Sequence, residues 1–217
     1  MITSEISIIA VEGFTAREAH CLRTLSVKDL SFALSMGAVG NVLAAITIAP
    51  TMVRQIALDF SSLPVFVAGV FAGPLVGGLT GFLAGILPSA FFGFIGGQMG
   101  ILGLGTSVGK AISGFCVGLL TQVVRSSRNR TVLLIPIVLL SFLPEALWIY
   151  VLFTVFIPIF MPNQTFLSAF VIPILTKAWF EIVVMSAFTS AIAGHSGFKA
   201  FLGHYLRTTT FQRAQST

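Results

Sequence analysis

Residues 57–90 read ALDFSSLPVFVAGVFAGPLVGGLTGFLAGILPSA, a stretch whose one charged residue is Asp59. Apolar residues run through it without the polar and apolar alternation of a membrane-spanning strand. Inside a bilayer the backbone must then satisfy its own hydrogen bonds, and a helix does so. Gly73-Pro74 divides the run, because glycine allows a tight turn and proline is at home in the first turn of the helix that follows. The stretch reads as two apolar helices joined in a hairpin.

The rest of the chain extends this reading. Of its 217 residues 56% are hydrophobic and only 9% charged, which excludes an ordinary soluble domain. A spanning helix needs about 20 mostly apolar residues. Punctuation by glycine, proline and charge gives six such segments, near 30–49, 56–73, 74–95, 104–124, 131–159 and 166–194. The expected fold is all-α: a polytopic membrane protein with six transmembrane helices in one bundle over residues 28–198. Residues 1–27 are expected to form a cytoplasmic extension and residues 199–217 a cytoplasmic tail. The first 27 residues hold Glu5, Glu12 and Glu18 and lack the basic start and apolar run of a signal peptide.

Cytoplasmic loops of membrane proteins are enriched in Lys and Arg. Arg17, Arg23 and Lys28 precede the first segment; Arg125, Arg128 and Arg130 follow the fourth; Lys199, Arg207 and Arg213 follow the sixth. An even number of spans with both termini inside the plasma membrane puts all nine on one side. The formal charge of +5 is scattered over these loops without interleaved aromatics, which argues against a nucleic-acid partner. Cys21 and Cys116 have no metal-ligand spacing.

Ionisable residues inside apolar segments are costly and therefore mark candidate sites. Here they are Lys110, Glu145, Lys177 and Glu181. Lys177 and Glu181 are four apart and share a helix face, so they are placed to neutralise one another. Glu145 reaches a similar depth, so a Glu145–Lys177 contact is also possible. Asp59, Gln98 in the glycine-rich loop and Asn163 after the fifth segment add polar groups at the outer ends. Trp148 offers a ring for stacking on a planar ligand, although such aromatics also serve as interfacial anchors. These eight residues are the expected substrate-binding set. The glycine density from Phe91 to Gly105 predicts a flexible outer loop roofing a cavity between the last three helices.

On the first segment Ala33, Gly37, Gly40 and Ala44 form one face of small residues, a surface for close helix approach. Its partner is either another helix of the bundle or a separate subunit. No HExxH or GxSxG sequence is present, and GTSVGK at 105–110 lacks the Ser or Thr that follows the lysine of a phosphate loop. Neither an enzyme nor a cofactor or metal site is expected.

The segment from Ala57 to Ala90 resembles the substrate-binding S component of energy-coupling factor (ECF) transporters. Leu58 to Ser61 with Pro64 match an LDFS-x-x-P lead into the second helix, and Gly73, Pro74 and Gly77 match a Gly-Pro-x-x-Gly turn before a glycine-rich third helix. A looser likeness covers residues 30–198. The resemblance implies a subunit that binds a vitamin or related small solute from outside. It also implies docking to a coupling membrane subunit, with two cytoplasmic ATPases, for uptake. Such subunits dock through an Ala-x-x-x-Ala pattern on helix one, where this chain has Ala33-x-x-x-Gly37; the implied docking set is Ala33, Gly37, Gly40 and Ala44. The LDFSSLP lead and Pro173 to Lys177 are most similar to riboflavin-type members, with Ile174 and Leu175 where those carry asparagine, and riboflavin is the expected ligand. A stand-alone secondary transporter or channel is the alternative and a membrane enzyme the third reading.

Overall fold

The computed structural model describes residues 25–51, 57–95, 99–124 and 130–202. Regular structure among them is helical throughout. We number the helices α1 (Val27–Thr51), α2 (Ser62–Ala72), α3 (Pro74–Ile95), α4 (Gly105–Val123), α5 (Thr131–Phe160) and α6 (Val171–Gly194). Helices α1, α3 and α5 are long and apolar enough to cross a membrane, as are α4 and α6 with their 3₁₀ lead-ins.

Helix α2 departs from the expectation of six full spans. Its 11 residues rise only about 16 Å, roughly half of a hydrocarbon core. The segment expected over 56–73 becomes helical only at Ser62 because a buried carboxylate upstream engages the backbone. The Asp59 amide donates to Glu181 Oε1 at 2.7 Å, and the Ser61 amide donates to Asp59 Oδ1 at 2.9 Å. Non-helical backbone inside a membrane protein is tolerated where protein buries it or where it lines a cavity. Here it does the second, with Asp59 at the cavity edge.

Glycines set how closely the first four helices pack. The α2–α3 hairpin turns at Gly73, whose φ of 96° lies in the left-handed region that glycine occupies without steric cost. Beyond the turn, Gly69, Gly77 and Gly114 bring three backbones together: a Cβ at Gly77 would lie 2.7 Å from the Gly69 Cα and collide with the Gly114 carbonyl. Gly81 likewise faces the Lys110 carbonyl, and Gly85 faces Ser107. Lipid tails give apolar helices little reason to associate, so close backbone contact through small residues supplies the attraction. It also holds α4, with Lys110, against α2 and α3.

The small face of α1 is used inside this chain. Ala33 packs with Ala68, Val76 and Leu202, and Ala44 with Ala57. A Cβ on Gly37 would lie 2.7 Å from Leu83 Cβ, and one on Gly40 would lie 2.5 Å from Ala84 Cβ. The expectation that Ala33, Gly37, Gly40 and Ala44 present a face to a separate subunit is corrected: α2 and α3 already occupy it. Spacing shows that a face is small but not which way it turns. Asn41, beside this seam, donates to Leu83 O at 2.9 Å and accepts from the Leu87 amide at 2.9 Å, tying α1 to the bend in α3.

Helix α5 is bent by its own composition. Pro136 and Pro144 remove amide donors from the ladder, and a π turn at Leu152–Phe156 adds a second irregularity before Pro158. Glu145 follows the first break, and Leu152 and Phe153 lie in the π turn. Residues 91–95 at the end of α3 and residues 100–104 before α4 are helical turns rather than an irregular loop. After α6, residues 196–202 are helical again across residue 199. Leu202 is buried with Phe32 and Ala68, and Phe198 meets Phe71 edge to face.

Candidate functional site

A cavity of about 100 Å³ lies where α2, α4, α5 and α6 converge. Its walls are mostly hydrocarbon: Phe92 flanks it from the last turn of α3 and Met99 from the α3–α4 connection, Phe142, Ile149, Leu152 and Phe153 line it from α5, and Ile174, Ile182 and Met185 from α6. Five ionisable side chains join them: Asp59, Lys110, Glu145, Lys177 and Glu181.

Four of the five form a chain of contacts. Lys110 Nζ lies 2.9 Å from Asp59 Oδ2 and donates to Ser62 Oγ at 2.8 Å, with both charged side chains buried. Lys177 Nζ lies 2.7 Å from Glu181 Oε2. The other oxygen of Glu181 accepts the Asp59 amide, so one carboxylate links the two ion pairs. A buried charge without a partner is strongly unfavourable, and pairing of this kind is how a bundle tolerates one. Glu145 stands apart. Its Oε2 accepts a hydrogen bond from Ser113 Oγ, and among the described residues no Lys, Arg or His nitrogen lies within 4.0 Å of it. Of the two pairings open to Lys177, the one with Glu181 is formed and the one with Glu145 is not, because Lys177 is turned to its own helix neighbour.

A family model described as ECF transporter, substrate-specific component, matches residues 31–193, from the second turn of α1 to the last turn of α6. The chain belongs to this family. Comparisons with curated proteins and with solved structures gave no match. As an ECF substrate-specific component the protein is a multi-pass membrane subunit of an importer. It serves a small-molecule substrate and an ECF module, and it is a transport subunit rather than an enzyme.

Within this S component, the eight residues expected to bind substrate separate into three groups. Asp59, Lys110, Glu145, Lys177 and Glu181 surround the cavity. Trp148 and Asn163 do not line it. The indole Nε1 of Trp148 donates to the Gly105 carbonyl at 2.8 Å and its ring tilts against Phe156, so it ties α5 to the start of α4. Asn163 is exposed in the 3₁₀ turn Pro162–Phe170. Gln98 lies outside the described residues.

Polar groups that the sequence reading passed over complete the site. Thr106 and Gly109 line the cavity beside Lys110, Ser62 receives the Lys110 ammonium, and Ser113 holds Glu145. The spacing Thr106, Lys110, Ser113 is one helical face, so the lysine pointed to its neighbours. Ser62 carried no such signal, because its helix starts at that residue.

Proposed function

We propose that this cavity is where the S component captures a vitamin or related small solute from the outer side of the plasma membrane. A coupling membrane subunit with two cytoplasmic ATPases then drives its uptake. The observation that carries this reading is the convergence of five ionisable side chains from four parts of the chain on one cavity in an apolar bundle. Holding charges in such a place is costly unless they do something there. Ligand sites elsewhere share this plan of apolar walls with a few convergent polar groups.

Native mass spectrometry of protein purified in mild detergent tests the proposal. A small molecule should travel with the folded chain and be released on unfolding. It should be missing from Ala178→Trp, which fills the cavity wall with an indole. Retention of the same mass by Ala178→Trp refutes the site. Riboflavin, the compound that the LDFSSLP lead and Pro173 to Lys177 suggest by resemblance, would be reported directly by its flavin absorbance. Ile174, however, puts hydrocarbon on the cavity wall near the place where riboflavin-type members carry asparagine.

The same proposal has both termini in the cytoplasm, which agrees with the bias of nine cations to one side. Exposed Val123, at the end of α4, then faces the cytoplasm, and exposed Asn163 the outside. In a background with both Cys21 and Cys116 changed to Ser, an impermeant maleimide added to sealed cells should label Asn163→Cys and spare Val123→Cys until the cells are opened. The reverse pattern would invert the orientation.

A further inference from the structure

We infer that the cargo of this cavity carries a positively charged nitrogen that binds Glu145, on a compact apolar body. The inference rests on the cavity being the cargo site and narrows its cargo to a class that excludes neutral riboflavin. The lining residues contain three carboxylates and two ammonium groups. Both ammonium groups are engaged, Lys110 at 2.9 Å from Asp59 and Lys177 at 2.7 Å from Glu181. Glu145 is left without a direct ion pair among the described residues: it is only 7% exposed, its hydrogen bond comes from the Ser113 hydroxyl, and Lys110 and Lys177 act on it only from beyond 4.0 Å while each is paired elsewhere.

The backbone of α4 comes close to Glu145. At Gly109, which also lines the cavity, a Cβ would lie 3.2 Å from Glu145 Cγ and 3.5 Å from its Oε1. A larger residue there would press on Glu145 and on the Trp148 ring, so glycine leaves the carboxylate unobstructed at this cavity-lining position. A buried carboxylate lacking a cation is unfavourable, and a cationic ligand would supply the missing charge. An anionic cargo meets the opposite situation, with both ammonium groups already taken and one carboxylate in excess. A hard divalent metal ion would seek six or more oxygen ligands, and a wall rich in Phe, Leu and Ile does not provide them. The volume of about 100 Å³ is below the roughly 150 Å³ of an apolar cavity that holds benzene, which favours a compact cargo over a fused ring system.

The test uses three probes of one shape: benzamidine as cation, benzamide as neutral form and benzoate as anion. Each is titrated against the full-length protein in detergent, and affinity is read from the shift of the thermal midpoint. Benzamidine should bind at least tenfold more tightly than benzoate. Glu145→Gln should weaken benzamidine at least tenfold and leave the midpoint of the unliganded protein unchanged or higher. A benzamidine effect no larger than that of benzamide or benzoate, including no effect from any of them, overturns the inference. So does undiminished benzamidine binding in Glu145→Gln. If that variant does not fold, the wild-type probe series decides alone. Loss of native cargo in Ala178→Trp alongside a preference for benzoate would sink the charge assignment and leave the cavity as the cargo site. Cargo retained in Ala178→Trp would sink the site itself.

Discussion

Lys110→Met is expected to cost about 3–5 kcal/mol of folding stability, the usual effect of removing one partner from a buried ion pair. The ammonium is 2.9 Å from Asp59 and 2.8 Å from Ser62, and neither charged side chain of the pair is more than 9% exposed. Methionine preserves the length and apolar bulk of the stem, so the loss isolates the charge. Asp59 would then be buried without its cation, with its amide still donating to Glu181. The lead into α2 depends on that carboxylate to hold the Ser61 amide, so its perturbation should reach the hairpin as well as the cavity. The double variant Lys110→Met with Asp59→Asn should recover most of the stability, since it leaves no unpaired charge. Thermal unfolding in detergent, followed through Trp148 and Trp179 fluorescence, measures both. A single variant as stable as the parent would mean that the pair does not hold this region together.

The predicted consequence for Lys177 differs, and the contrast comes from burial. The Lys177 side chain is 21% exposed, against 4% for Lys110. Water reaching the Lys177 ammonium weakens the electrostatics of the Lys177–Glu181 pair, and Glu181, itself only 5% exposed, keeps the Asp59 amide as a donor when Lys177 is removed. Lys110 has no comparable outlet. Two lysines that look alike in the sequence, each inside an apolar run, therefore divide into one that holds the fold and one at the wetter side of the cavity.

How much was legible follows the same physics. The helices could be read because a chain with 9% charged residues and long apolar runs has few other ways to satisfy its backbone in lipid. The hairpin could be read because Gly73-Pro74 is a local signal, and the left-handed φ at Gly73 is its direct expression. Asp59, Lys110, Glu145, Lys177 and Glu181 stood out because charge near or within an apolar run is conspicuous. Rotation of each helix about its axis was not legible. It decides that the small face of α1 turns toward Leu83 and Ala84, and that Trp148 spends its N–H on the Gly105 carbonyl. The short α2 was hidden for another reason: hydropathy over 56–73 does not register that a carboxylate two residues upstream captures the Ser61 amide. The partner of Lys177 was undecided because i,i+4 spacing favours Glu181 while depth alone allows Glu145.

Glycine substitutions should show how far this fold depends on backbone contact, and Gly114→Val is expected to have the largest effect among them. A Cβ at Gly114 would collide with the Gly77 carbonyl oxygen, while lying 2.7 Å from the Gly77 carbonyl carbon and 2.7 Å from Val65 Cγ1. The obstructing atoms at Gly77 are backbone, so no rotamer change relieves them, and α3 and α4 must separate. Overpacking of a dense core typically costs about 1–3 kcal/mol, occasionally more, and an obstruction by main chain belongs at or beyond the upper end. Valine's intrinsic helix preference over glycine amounts to only a few tenths of a kcal/mol, too little to offset this. Separation of α4 from α3 would also move Lys110, four residues before Gly114, away from Asp59 and Ser62, so ligand capture should fall with stability. Gly78→Ala is the matched control, one position along α3 from Gly77. There the nearest atom to a new Cβ is Phe115 Cβ at 3.4 Å, an ordinary contact. Relief of glycine's backbone entropy should make that variant neutral or more stable, by up to about 1 kcal/mol. If Gly114→Val unfolds at the same temperature as Gly78→Ala, the α3–α4 crossing is not the close backbone contact described above, and the placement of Lys110 needs another cause.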